Sequence, residues 1–126
     1  MLSTFSVDHI EQKISTMAVG RITYQEIIDS LLDRENKHIL TYSELFDARY
    51  ASADISSSQI EKLEFLMRGL GYIYRLGRSA IIVNDDLTYG MFQTLVILLH
   101  DVVEIKVFRD KARANAWLDN KRFGMN

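Results

Sequence analysis

The sequence predicts an α/β protein with a single, mostly parallel sheet of about five strands, covered by helices in the order ββαβαβαβα. The first observation is that segments of helical periodicity alternate along the chain with short apolar runs. The second is a pair of capping boxes, Thr23-x-x-Glu26 and Ser58-x-x-Glu61, which indicate two helix starts. The third is the continuously apolar run from Ser79 to Asn84, which is typical of a buried parallel strand.

Composition predicts one domain over residues 1–126 and argues against several classes of function. Hydrophobic residues make up 48% and charged residues 25% of the chain, as in folded globular proteins. The formal net charge of −2 gives no electrostatic reason to bind nucleic acid or an anionic membrane. The chain has no Cys, so disulfides, thiol chemistry and Cys-based zinc sites are excluded.

The sequence carries no pattern of a membrane or secreted protein. Its longest apolar run, Leu95 to Leu99, is too short to span a bilayer. The N-terminal residues lack the basic and apolar regions of a signal peptide. We therefore expect a cytoplasmic protein without membrane insertion.

The first half of the chain predicts two short strands followed by a helix. The strands are Phe5 to Val7 and Ile14 to Val19, after which Gly20 breaks the pattern. The helix begins after Thr23. Its apolar residues recur at helical spacing: Tyr24, Ile27, Ile28, Leu31 and Leu32.

The segment from His38 to Arg49 predicts the central strand. With a period of two it is apolar on both faces, which favours a position in the middle of a covered sheet. The alternative is a helix that begins at a capping box formed by Thr41-x-x-Glu44. The residues from Tyr50 to Ser58 then form a loop rich in Ala, Ser and Asp.

The second half predicts three helices and two strands. The helix after Ser58 has an inner face of Ile60, Leu63, Met67 and Leu70. Its two glycines, Gly69 and Gly71, indicate either an early end or a close approach to the sheet. Leu87 to His100 predicts a helix, although Thr94 to Leu98 alone would also fit a strand. Val103 to Phe108 predicts an edge strand. Asp110 then caps a last helix that packs through Ala112, Ala116 and Trp117.

Several stretches resemble the small bacterial STAS-like (SpoIIAA-like) proteins, relatives of the sporulation anti-anti-sigma factor. They are Leu45-Phe46-Asp47-Ala48-Arg49, Asp86-Leu87-Thr88-Tyr89-Gly90-Met91, Val107-Phe108-Arg109-Asp110 and Ala116-Trp117-Leu118. The resemblance covers nearly the whole chain. It implies a STAS-like fold, which is sometimes grouped with the lipid-binding SEC14 fold.

The resemblance also implies a phosphorylation site. In anti-anti-sigma factors, a partner kinase phosphorylates a Ser at the start of the second helix, and Ser57 and Ser58 stand at the matching place. In this chain Asp54 does not directly precede a Ser, and no Gly follows the serines. We interpret Ser58 as a helix cap and expect that these serines are not a phosphorylation switch.

No catalytic, metal or cofactor motif stands out. His9, His38 and His100 are far apart in sequence and lack partners at ligand spacing. Asp85 and Asp86 could bind a hard cation, but two adjacent carboxylates are more simply explained as a helix start. We therefore expect a protein that is not an enzyme, with no catalytic residues, metal site or cofactor.

Two surfaces remain as candidate sites. Ligands of parallel sheets lie beyond the carboxyl ends of the strands. Here those ends supply a rim for a ligand or partner, made of Asp47, Arg49, Tyr50, Asn84, Asp85, Thr88 and Tyr89. The second surface belongs to the third helix, where Phe92, Val96 and Ile97 form an apolar face for a dimer contact or a pocket. An inward-facing Glu44 would need a cationic partner, for which Arg49, Arg78 and Arg109 are the candidates.

These observations predict a non-enzymatic regulatory or protein-interaction module of STAS-like fold that forms a homodimer. The alternative is a carrier that binds a small amphipathic or lipid-like ligand at the carboxyl ends of the strands. A third hypothesis is a small enzyme whose polar groups meet only in the folded chain. The sequence names neither the ligand nor the partner.

Overall fold

The computed structural model describes residues 1–122, apart from the side chains of residues 4, 5, 121 and 122. The predicted order ββαβαβαβα is confirmed. The strands are β1 (Leu2–Asp8), β2 (Lys13–Thr23), β3 (Ser43–Asp54), β4 (Ser79–Val83) and β5 (Ile105–Phe108). The helices are α1 (Tyr24–Asn36), α2 (Ser57–Ile73), α3 (Asp86–Leu99) and α4 (Lys111–Arg122).

The five strands form one sheet in the order β1-β2-β3-β4-β5. β1 runs antiparallel to β2, and all the other neighbouring strands are parallel. Each helix from α1 to α3 therefore connects a strand to its immediate neighbour. Right-handed connections of this kind place α1, α2 and α3 on the same face of the sheet.

The sheet has a core on each face. Alternation along β3 directs Phe46 and Ala48 toward α1, α2 and α3, and directs Leu45 toward α4. The larger core contains Leu63 of α2 and Phe92 of α3. The smaller core is closed by α4, which contributes Ala114, Leu118 and Trp117.

The central strand lies further along the chain than the sequence predicted. β3 begins at Ser43, and the residues before it, from Lys37 onward, form turns, with a φ of +59° at His38. The predicted central strand is therefore confirmed with a later start, and the alternative helix at Thr41 is wrong. β2 continues through Gly20, so that β3 finds backbone partners as far as Asp54 and the predicted loop after Tyr50 becomes strand. Pairing with a long neighbour outweighs the weak β propensity of these small residues.

α2 begins two residues earlier than predicted. Its N-cap is Ser56, whose hydroxyl accepts from Gln59 N while the Gln59 side chain accepts from Ser56 N. The capping box is thus Ser56-x-x-Gln59, and Ser58 lies inside the first turn. The helix then continues through both glycines. Gly71 lies close to Val102 of the turn after α3 and not to the sheet, and Gly69 is exposed.

The later elements follow the sequence more closely. α3 is a helix throughout, and β5 is an edge strand. α4 is rotated from the predicted orientation, because Ala112 and Ala116 are exposed while Ala114 and Leu118 are buried. Small alanines on several sides of a helix give a weak amphipathic signal, which explains this error. None of the helices in the described part of the chain is long and apolar enough to cross a membrane.

Candidate functional site

The carboxyl end of β4 is organised by Asp85, which caps α3. Its carboxylate accepts from Thr88 N and Thr88 Oγ1, both at 2.8 Å. The hydrogen bond from Thr88 N, followed by that from its hydroxyl, lowers the pKa of Asp85. Thr88 is buried, and its Oγ1 also accepts from Ala53 N of β3 at 3.3 Å. Two of the predicted rim residues therefore fasten α3 to the sheet.

A second group of predicted rim residues lies within β3 rather than at its end. Asp47 is almost fully buried, and Arg49 donates to both of its carboxylate oxygens, at 3.0 and 2.8 Å. These hydrogen bonds lower the pKa of Asp47 below its usual range. Alternation along the strand places Asp47 on the face covered by α4, away from Thr88. The predicted rim is thus divided between the two faces of the sheet.

Arg109 is a central rim residue that the prediction did not include. It donates to Asp86 Oδ1 at 2.6 Å and to the Asn84 carbonyl oxygen at 3.4 Å. Its guanidinium also lies over the Tyr89 ring, 4.8 Å from the centroid. The signal was present in the sequence, because Arg109 directly follows the carboxyl end of β5.

The rim is polar, but its charges already neutralise one another. Arg49 pairs with Asp47, and Arg109 pairs with Asp86. A ligand would have to displace one of these partners. Tyr50 is exposed, and its ring centroid lies 5.7 Å from the Arg49 guanidinium carbon.

The clearest apolar cavity lies at the opposite end of the strands. It has a volume of about 100 Å³ and lies between the sheet and α1, α2 and α3. Its wall includes Glu44, Ser79 and Ile105, which are paired neighbours at the amino-terminal ends of β3, β4 and β5. The rest of the wall is mostly aliphatic and aromatic, including Ile27, Leu31, Phe46, Leu63, Met67, Ile81, Phe92 and Leu95.

Glu44 is buried at this cavity, but its partner is not one of the three predicted arginines. Arg34 of α1 donates to both Glu44 oxygens, at 3.0 and 2.6 Å, and also to Thr16 Oγ1 at 3.0 Å. Arg34 lies ten residues before Glu44 and reaches it because α1 folds back over the sheet. A second cavity of about 50 Å³ shares this ion pair and Met67 as walls.

The apolar face predicted on α3 is only partly accessible. Phe92 is 5% exposed and lines the apolar cavity, so the predicted dimer contact is wrong for this residue, whereas the alternative of a pocket fits it. Val96 is partly buried, and only Ile97 of the three residues is well exposed. The orientation of the helix was misjudged because α3 is apolar on most sides, so its sequence marks no single inner face.

The outer surface of α2 and α3 is formed by a different set of residues, of which the sequence singled out only Ile97. Its large apolar members are Phe65 (83% exposed), Tyr72 (89%), Ile73 (71%), Leu87 (79%) and Ile97 (67%). Arg68 fixes the two helices to each other, because it donates to Asp101 Oδ2 at 2.8 Å and to the Leu98 carbonyl oxygen at 2.9 Å. We call this set the outer apolar surface.

The remaining candidates are local. Ser57 and Ser58 are exposed in the first turn of α2, and Ser58 Oγ lies 3.2 Å from Ser56 Oγ. His9 bonds to the Tyr42 hydroxyl, and His100 lies 3.1 Å from the Ile97 carbonyl oxygen. Within residues 1–122, no three His, Asp or Glu side chains are arranged to hold a metal ion.

Comparison with known proteins supports the fold and nothing finer. No family model and no curated protein matches the chain. Among solved structures, a match is an uncharacterised protein of the DUF3478 family with a SpoIIAA-like fold, from Shewanella loihica PV-4, with a TM-score of 0.54. This chain has a SpoIIAA-like fold. The two proteins are 21% identical, and the match covers 84% of this chain and 83% of the other. The STAS-like fold expected from the sequence is therefore confirmed, and the neighbour assigns no activity to it.

Proposed function

We propose that this SpoIIAA-like domain is a non-enzymatic regulatory or protein-interaction module that binds its partner through the outer apolar surface. The observation that carries the proposal is that five large apolar side chains on two adjacent helices are each at least two-thirds exposed. Single exposed hydrophobic residues are normal, but five on two helices that pack against each other supply a large exposed apolar area, which is typical of interaction sites.

The fixed position of the two helices also supports the proposal. Arg68 holds α2 against α3 through Asp101 and Leu98, and it receives additional support from Glu64 at 3.1 Å. A surface that is already ordered loses less conformational entropy when it binds. The rim at the carboxyl ends is a weaker candidate, because a partner would have to compete with the ion pairs of Arg49 and Arg109.

One observation favours a carrier as the second candidate function, namely the apolar cavity of about 100 Å³ beneath α1, α2 and α3. Sites for drug-sized ligands usually measure about 300–1,000 Å³. The cavity therefore accommodates only a small apolar group unless the helices move apart. It also lies at the amino-terminal ends of the strands, so a ligand there would not contact the predicted rim.

The proposed function is tested by placing a photo-crosslinking amino acid at Ile97 and, as a control, at Ile10, which is 94% exposed in the turn after β1. We expect Ile97 to crosslink one specific protein in the source cells, and Ile10 to crosslink none. The purified partner should bind the wild type, and Ile97→Asp should weaken binding by about 100-fold, as for a central apolar contact. Equal binding by the wild type and Ile97→Asp would contradict the proposal.

The carrier hypothesis is tested by native mass spectrometry of freshly purified protein. A stoichiometric bound mass that is lost when the cavity is filled by Ser30→Leu would favour the carrier. The interaction module predicts a spectrum in which the protomer has no additional mass.

A further inference from the structure

We infer that this chain forms a symmetric homodimer in which the outer side of α2 packs antiparallel against α2 of a second copy, crossing at Gly69. The contact, called the α2 stripe, consists of Phe65, Gly69, Tyr72 and Ile73. These residues recur at i, i+4, i+7 and i+8, the spacing of one face of a helix. The inference rests on the proposed function, because the stripe is the α2 part of the outer apolar surface, and it assigns that part to a second copy of the chain.

Gly69 is the first observation in favour of a close helix contact. A Gly inside a helix is less favourable than Ala, so it requires a reason. For Gly71 the reason lies within the chain: a Cβ there would lie only 2.8 Å from Val102 Cγ1, which is too close. A Cβ at Gly69 would meet nothing within 4 Å. The missing side chain allows a second backbone to approach this exposed position closely.

The α2 stripe is self-complementary about Gly69, as a two-fold symmetric contact requires. Phe65 and Ile73 lie four residues before and after Gly69, so an antiparallel crossing places Phe65 of one copy opposite Ile73 of the other. Leu66 and Tyr72, three residues on either side, come to the same level along the crossing, on opposite flanks of it. Phe65 and Ile73 thus each gain an apolar partner.

Charged residues next to the α2 stripe have opposite signs where the two copies meet. Glu61 lies eight residues before Gly69 and Arg75 six residues after it, and both are exposed. Among the described residues, neither forms a salt bridge. In the antiparallel crossing, the segment that follows the C-terminal end of α2 in one copy, which contains Arg75, lies beside the first turns of α2 in the other copy, which contain Glu61. It also aligns the two helix dipoles favourably.

The area of the stripe is sufficient for a dimer of modest affinity. Aromatic side chains bury about 150–250 Å² each when they are covered. Phe65, Tyr72 and Ile73 therefore supply roughly 500 Å² per copy, more than half of the approximately 800 Å² per partner of a typical specific interface. Flanking residues of α2, such as Lys62 and Leu66, lie where they can supply the remainder.

The surroundings of the stripe favour a protein over a lipid surface. Membrane-surface helices carry mainly Lys and Arg on their polar side. The polar side of α2 instead carries Glu61 and Glu64 together with Lys62 and Arg68, and the chain has a net charge of −2. This mixed charge suits an interface in which opposite charges meet.

The inference is tested first by sedimentation of the full chain at about 1–100 μM, the range expected for an interface of this size. We expect the wild type to be dimeric. Phe65→Asp should raise the dissociation constant by about 100-fold. The matched control Ile10→Asp, at another exposed apolar position, should remain dimeric. A monomeric wild type, or equal effects of both variants, would overturn the inference. Circular dichroism verifies that each variant is folded.

Disulfide crosslinking tests whether the two copies of α2 cross at Gly69. Because the chain has no Cys, each variant contains only the introduced thiol. A Gly69→Cys variant should form a crosslinked dimer at least tenfold faster than an Ile10→Cys variant, because the two positions at the crossing lie within disulfide reach. A Phe65→Cys variant should not form one rapidly, since the two copies of residue 65 are about 12 Å apart along the axis. Rapid crosslinking at both 65 and 69 would indicate parallel helices and contradict the inference.

Charge reversal tests the pairing itself. Glu61→Arg and Arg75→Glu should each weaken the dimer, and the double variant should recover it. Failure of that recovery would contradict the antiparallel arrangement. If the wild type is monomeric but binds a different protein, and Ile97→Asp abolishes that binding, the proposed function stands and the homodimer is wrong. Binding of the monomer to phosphatidylglycerol vesicles, lost in Phe65→Asp, would assign the stripe to a lipid surface instead.

Discussion

At the scale of single residues, Arg34 and Glu44 form an ion pair that is almost completely buried. Both side chains are about one-tenth exposed, and the pair forms two hydrogen bonds at the wall of an apolar cavity. Removing one partner leaves an uncompensated buried charge. We expect Glu44→Leu to lower the free energy of unfolding by about 3–5 kcal/mol, as measured by urea denaturation.

The double variant Arg34→Met with Glu44→Leu provides the control. It removes both charges and fills the site with apolar atoms, so it should be more stable than Glu44→Leu alone. A double variant that is less stable than either single variant would contradict this account, because the two losses would then add instead of arising from one unpaired charge.

Asp47 should make stability depend on pH in the acid range. Arg49 lowers its pKa in the folded state below the ordinary value of 3.8. The contribution to stability is therefore complete above pH 3.8 and is lost as the pH falls through the lower folded-state pKa, because the unfolded state then binds more protons. We expect Asp47→Asn to flatten the decline of the unfolding free energy below pH 4. Arg49→Gln should flatten it similarly, and an unchanged slope in both variants would contradict this account.

At the scale of elements, the start of α2 distinguishes two serines two residues apart. Ser56 accepts from Gln59 N at 3.2 Å, whereas Ser58 lies within the first turn. Ser56→Ala should therefore reduce stability by about 1 kcal/mol. Ser58→Ala should stay within about 0.5 kcal/mol of the wild type. The reverse ranking in thermal or urea unfolding would show that the helix begins at the later serine.

The orientation of α4 leads to a second prediction at this scale. Leu118 is 2% exposed between the sheet and the helix, whereas Trp117 is partly exposed and packs beside Phe108 at a centroid distance of 5.9 Å. Leu118→Ala should cost about 2–5 kcal/mol. Trp117→Ala should cost less than the roughly 3–5 kcal/mol of a fully buried Trp. Chemical denaturation of the two variants compares these costs, and a larger loss for Trp117→Ala would mean that α4 is rotated.

At the scale of the whole molecule, the strand order determines where the sheet is most protected. β3 and β4 are paired on both sides and covered on both faces, whereas β1 and β5 are edges. Amides that require global unfolding to exchange should therefore lie in β3 and β4. We expect deuterium uptake to be slowest at residues 45–48 and 80–83 and faster in β1 and β5. Equal protection of β5 would indicate that another chain pairs with its edge.

Local patterns in the sequence determined most of the elements. The box Thr23-x-x-Glu26 caps α1 as predicted, and the apolar run after Ser79 forms β4. Capping and continuous apolarity act over a few neighbouring residues, so one short segment contains the whole signal. The number and order of the elements, and hence the α/β class, follow from such signals.

Contacts between distant segments decided the rest. Gly20 does not end β2, because the strand continues beside β3. Glu44 pairs with Arg34 and not with any of the three predicted arginines. Which residues belong to the rim and to the apolar face of α3 depends on which side of each element faces the sheet. The sequence does not show this, so the predicted sites combined buried residues such as Phe92 with exposed ones. Local sequence limits which elements form, whereas register, rotation and long-range pairing arise only when the elements pack, because their free energy comes from surfaces that meet across the fold.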